Sequence, residues 1–144
     1  MNITVEVSGL KGVEDALAQA GPKLAKRALR RALKAGADKF TADAKSRAPI
    51  LKIPTANRKA GDLRDAITSV IKLSAKEEYG TARIGPKYTG KGSDDPGVYG
   101  MFQEFGTKTD PAQPFMRGAF ESEKDAALSV FTEVMVEEVA KLDK

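Results

Sequence analysis

The sequence predicts an α+β domain, most simply a small antiparallel sheet of three to four strands packed by two long helices. Three observations carry this. Lys23 to Ala48 and Phe115 to about Leu142 are free of proline and repeat apolar residues at three and four, as helices buried along one side do. Ile3, Val5 and Val7 alternate with Thr4, Glu6 and Ser8, the period of a half-buried strand, and two shorter runs between residues 67 and 84 have the same character. The 144 residues suit one domain, and no apolar run approaches the ~20 residues that a membrane-spanning helix needs.

Composition narrows the chemistry. Cysteine and histidine are both absent, which removes disulfides, Cys or His metal sites, thiol nucleophiles and the commonest general base. The amino-terminal MNITVEVSG is too polar for an export signal. A net charge of +4 hides an uneven distribution: residues 1–48 hold ten Lys and Arg against five Asp and Glu, whereas residues 113–144 hold four against seven. Such polarity suits head-to-tail association of copies as well as it suits a polyanion.

Following the first strand, which ends at Gly9, Val13 to Ala20 reads as a short helix closed by Gly21-Pro22, and Pro22 sits naturally at the start of the next. That long helix has a narrow apolar stripe of Ala25, Leu29, Leu33, Gly36, Phe40 and Ala44, with Ala28, Ala32 and Ala37 on or beside it, so a partner can approach its backbone closely. Away from the stripe stand Lys23, Lys26, Arg27, Arg30, Arg31 and Lys34, six cations in twelve residues. Three readings stay open for them: a solvated face, a face toward DNA passing through a lumen, or a face toward an acidic neighbour such as another subunit's carboxy-terminal helix.

Ala48-Pro49 ends the helix, and residues 49–62 form a long basic connector. Asp62 to Ala66 is expected to make a helical turn, Ile67 to Leu73 a strand, and Tyr79 to Ile84 its hairpin partner across the polar segment 75–78. Residues 85–97 (GPKYTGKGSDDPG) are too rich in glycine and proline for regular structure, and lack the Gly-Lys-Ser/Thr ending and strand-to-helix setting of a phosphate-binding loop. Asp94-Asp95 before Pro96-Gly97 reads as a turn rather than a cation site.

Residues 97–121 hold five of the nine Phe and Tyr residues. Tyr99, Phe102 and Phe105 recur every three residues, which favours a short helix with one aromatic face. Gly106 allows the chain to reverse, Thr107 to Pro114 is a loop, and Phe115 opens the last helix. Phe120, Ala127, Phe131, Val134 and Val139 or Leu142 form that helix's apolar face, with Glu121, Glu123, Lys124, Asp125, Glu133 and Glu137 mostly toward solvent and the early acids complementing the helix dipole. We expect Phe115 to plug the core with Tyr99 and Phe102 packed beneath it, and Glu104 to form an ion pair with Arg117 or Arg64. Glu104 has no second acid or base at motif distance, so no catalytic site is expected.

The run Tyr99-Gly-x-Phe-x-Glu-Phe-Gly-Thr107, a proline-bearing loop, and Pro114-Phe-Met-Arg-x-Ala-Phe120 together resemble the signature of the gene-product-ten family of phage HK-ninety-seven, the siphophage tail-completion or head-to-tail joining proteins. Looser likeness covers the rest: a basic helix ending in Lys45-Ser-Arg-Ala-Pro49, Gly61-x-Leu-Arg-x-x-Ile67 and a carboxy-terminal helix, although the link before Gly61 is longer here and has Ala60-Gly61 in place of the family's Thr-Gly. The resemblance implies a non-enzymatic subunit of a ring in the head–tail neck of the virion, six copies being natural on a sixfold tail, assembled in the host cytoplasm. Its implied partners are other copies, the tail terminator and the head connector or adaptor, with DNA in the lumen and no membrane or cofactor. Tyr99, Phe102, Glu104, Phe105, Gly106, Pro114, Phe115 and Arg117 are the candidate interface, and segments 49–62 and 85–97 are expected to order on assembly. The alternative is a small nucleic-acid-binding protein acting through Lys23 to Lys34, against which stand 20 acids and the lack of a reader motif.

Overall fold

The computed structural model describes residues 11–74 and 79–141. The expected strand at Ile3 to Val7, the connection 75–78 and Leu142 lie outside them. In order come α1 (Lys11–Ala20), α2 (Pro22–Arg47), α3 (Asp62–Ala66), β1 (Ile67–Leu73), β2 (Gly80–Pro86), a 3-10 turn at Gly92–Asp94, α4 (Pro96–Phe105) and α5 (Phe115–Ala140). Gly21, at φ 88°, breaks α1 from α2, and Gly61, at φ 89°, does the same before α3. Both conformations are ones that L side chains rarely adopt. β1 and β2 pair as an antiparallel sheet, and just past the end of β1 the Ser74 N–H donates to the Tyr79 carbonyl at 2.9 Å. Among the described residues the sheet therefore has two strands, not three or four. Beyond β2 the glycine-rich segment passes through the 3-10 turn at Gly92–Asp94 into α4.

The chain divides into two compact units. The first comprises Met1–Asp38, Val70–Arg83 and Asp125–Lys144. Its core is Ala28, Ala32 and Met135, with Val13, Leu17, Phe131 and Val134 packed around them. The buried line of α2 thus runs through alanines that sequence periodicity places beside the stripe, while Ala25, Leu29 and Leu33 are half-buried flanks. Small residues win the centre because they allow close approach: a Cβ on Gly36 would lie 3.2 Å from the Ala127 carbonyl oxygen. At the edge of this packing the Arg31 Nη1 donates to Glu138 Oε1 at 2.8 Å, and Lys141 Nζ donates to the same oxygen at 2.8 Å. These two hydrogen bonds, Lys141 first, hold the Glu138 carboxyl below the ordinary glutamate range despite its burial.

The second unit comprises Lys39–Ser69 and Ile84–Lys124. Ala44, Ala48, Leu63, Ile67, Phe115 and Ala119 form its core, flanked by Ile84, Tyr99 and Met116. Phe40 and Phe120 stack with ring centroids 5.7 Å apart. The basic connector and the glycine-rich loop hold each other here. Arg58 Nε donates to Asp94 Oδ1 at 2.8 Å and its Nη2 to the Ser93 carbonyl at 2.6 Å, while Asn57 Nδ2 donates to Asp94 Oδ2 at 3.1 Å.

Candidate functional site

The surface that the sequence singles out is built on α4, and both ends of that short helix are fixed. At its start Pro96 occupies the first turn, where a missing N–H costs nothing. Asp95 before it has 0% of its surface exposed. Its Oδ2 accepts from the Thr89 N–H at 2.5 Å, the Thr89 hydroxyl at 2.8 Å and the Lys91 N–H at 3.2 Å, and its Oδ1 accepts from the Gly97 N–H at 2.8 Å. Burial pushes this carboxyl up, but the donors outweigh it and hold it down to about 2. The same residue thereby caps α4 and ties down the glycine-rich loop.

At the other end Gly106, with φ 75°, turns the chain out of the helix. A Cβ there would lie 2.8 Å from the Ala112 nitrogen, so the reversal requires glycine on both counts. The Thr107–Pro114 loop then folds back: the Thr107 N–H donates to the Asp110 carbonyl at 2.9 Å and the Gln113 N–H to the Gln103 carbonyl at 2.6 Å.

Glu104 joins this assembly to α5. It is 7% exposed, and its carboxylate accepts from the backbone N–H of Met116 at 2.8 Å and of Arg117 at 3.0 Å. It is a cap supplied from another helix, not half of an ion pair. The guanidinium of Arg64 instead bonds its neighbour Asp65 at 2.9 Å, and Arg117 contributes its main chain. The physical reason is that the first N–H groups of a helix have no partners within it, and Pro114 at the junction has no side-chain oxygen to offer. The first turn of α5 also contains no acid of its own, so Glu104, rather than Glu121 or Glu123, meets the positive end of the helix dipole.

The face of α4 turned inward is Gly100 and Glu104. A Cβ on Gly100 would sit 3.0 Å from Leu63 Cδ1 and 3.1 Å from Pro86 Cγ, which is why a glycine packs there. The three-residue aromatic period is consequently split. Tyr99 is half-buried against the core with the Arg58 guanidinium 4.9 Å over its ring. Phe102 does not pack beneath Phe115: Met101, Phe102 and Phe105 are 55%, 49% and 63% exposed. Phe115, at 3% exposed, plugs the core as expected. Beside Phe102 opens a cleft of about 260 Å³ lined by Arg58, Tyr99, Gln103, Asp110 and Gln113 among others. Of the sequence-predicted interface residues, then, Phe102, Phe105, Pro114 and Arg117 are at the surface, Tyr99 and Gly106 are half-buried, and Glu104 and Phe115 hold it from within.

The predicted basic face is also dissected. Arg31 bridges to Glu138, Lys34 pairs with Asp38, and Lys26 is half-buried and engaged. Lys23, Arg27 and Arg30 are exposed. Among the described residues no group of three or more acids is arranged to hold a metal ion, and no helix is long and apolar enough to cross a membrane.

A family described as "Bacteriophage HK97-gp10, putative tail-component" matches residues 11–106, two thirds of the chain. The chain belongs to this family. It is thus a bacteriophage tail component by family, a class of structural protein with a place in the virion. The match takes in α1 to α4 and ends on Gly106, so it includes the exposed aromatic face but neither the loop nor α5. No curated protein and no solved structure matches the chain.

Proposed function

We propose that this tail component is a non-enzymatic subunit of the head–tail neck, completing the tail and joining it to the head connector as part of a ring. The observation that carries the reading is the exposure of Met101, Phe102 and Phe105 on a helix held at both ends. Burying a large apolar side chain on docking is worth on the order of 1.5 to 3 kcal/mol. Rigid presentation adds to this, because little side-chain or loop entropy remains to be lost on contact. In this reading the partners of that face are the tail terminator and the head connector.

Deletion of the protein tests this. Lysates are expected to contain filled heads and complete-looking tails that do not join, as seen by electron microscopy. Joined, infectious particles at normal yield would remove the neck reading.

A further inference from the structure

The first unit has two charged faces that nothing else on the molecule accounts for. At about 3.6 residues per turn, Lys23, Arg27 and Arg30 project from the side of α2 opposite its buried Ala28, Ala32 and Gly36. On α5, Asp125, Glu133 and Glu137 project away from the buried Ala127 and Met135, with the half-exposed Val136 among them. All six ions are exposed and make no ion pair among the described residues, whereas Arg31 pairs with Glu138 and Lys34 with Asp38 within the unit. The unit therefore presents three free cations on one side and three free acids on another.

We propose that these faces meet between copies: the Lys23, Arg27 and Arg30 face of one chain docks on the Asp125, Glu133 and Glu137 face of the next. The occupant follows from charge complementarity. Duplex DNA would use the cations but leave the acidic face unexplained and repel it, while a second copy uses both. Because the two faces are different surfaces, the contact is head-to-tail. Contacts of this kind repeat from copy to copy, and they close into a ring where the rotation between copies divides a full turn. Val136 supplies an apolar centre to an otherwise polar contact, and the charges favour register and encounter more than raw affinity. The inference rests on the ring reading above, and it assigns the surface that makes the ring.

The test uses the full chain and two charge-reversed variants. One carries Arg27→Glu and Arg30→Glu, the other Glu133→Arg and Glu137→Arg. Wild type is expected to sediment as a multimer whose size falls as salt is raised, since exposed charges are screened beyond roughly 8 Å at physiological ionic strength. Each variant alone, now bearing like charges on both faces, is expected to run as a monomer while melting as wild type does. Mixed in equal amounts, the two should regain the multimer, because each then offers the other an opposite face. That rescue also shows that the variants are folded. Wild type that stays monomeric at low salt and high concentration, a variant that multimerises unchanged, or a mixture that stays monomeric overturns the proposal. So does loss of salt-dependent binding to a duplex DNA probe in the first variant with its self-association intact, which would assign the cations to nucleic acid. Neck function is read separately. Heads and tails that fail to join without the protein, beside variants that assemble as wild type, would remove this contact and keep the neck; an unaffected deletion lysate beside the mixed rescue would do the reverse.

Discussion

Asp95 and Glu104 show how much of this surface rests on single carboxylates that accept from the main chain. Asp95 takes hydrogen bonds from Thr89, Lys91 and Gly97 in a site closed to water, which couples a glycine-rich loop to the first turn of α4. Its folded-state carboxyl is depressed to about 2, below the value of about 3.9 expected of an unfolded chain. The stabilisation is therefore complete above about pH 4 and disappears as pH falls through about 2, since below both values the two states bind the same proton. Asp95→Asn should melt below wild type at neutral pH, and the gap should close as the pH is lowered from 4 to 2. Melting curves across that range check it; a gap independent of pH would mean that geometry, not ionisation, is what the site uses. Sequence places Asp94-Asp95 in a turn, which is where they are, but it does not show that one pairs with Arg58 while the other caps a helix. Adjacent identical residues are told apart only by which donors the folded loop brings to them.

At the scale of elements, periodicity and punctuation were enough for most of the fold and for the wrong reason at one place. Proline-free repeats mark α2 and α5, Gly21-Pro22 marks their first boundary, and the expected turn at Asp62 to Ala66 is α3 itself. The rotation of each helix was harder to read. On α4 three aromatic rings offer far more apolar surface to bury than one glycine, yet Gly100 faces inward because Leu63 and Pro86 come too close for a side chain. Glu104 likewise looks like a partner for an arginine, since charges are visible in a sequence and unpaired main-chain N–H groups are not. The α4–α5 junction that results has two separable parts. Phe115→Ala should destabilise by about 3 to 5 kcal/mol, as truncating a buried Phe does. Glu104→Ala, which leaves two donors of α5 without their acceptor, should cost about 1 to 3 kcal/mol. Chemical denaturation of both ranks them, and a Glu104→Ala loss as large as that of Phe115→Ala would show that the cap, rather than the core, sets the position of α5.

For the whole molecule, the arrangement separates what holds the fold from what remains free to bind. Asp95, Glu104, Gly106 and Phe115 are spent internally, whereas Met101, Phe102 and Phe105 stand on the outside of the helix those residues fix. The docking role proposed for this face needs such a division, because a surface that keeps its shape has little entropy left to lose on contact. Replacing Phe102 and Phe105 together by Ser should leave the melting temperature close to wild type, since both rings are about half or more exposed and contribute little to the isolated fold. Joining of heads to tails should nevertheless fall sharply, because two apolar anchors at the centre of a contact carry a disproportionate share of its energy. The pair of measurements, thermal melting of the purified protein and infectious titre after complementing a deletion lysate, gives opposite patterns for the two possible roles. Stable protein with lost titre marks an interface. Destabilised protein with titre in proportion would return the aromatic face to the fold, and full titre from a stable variant would move the joint to another surface of the chain.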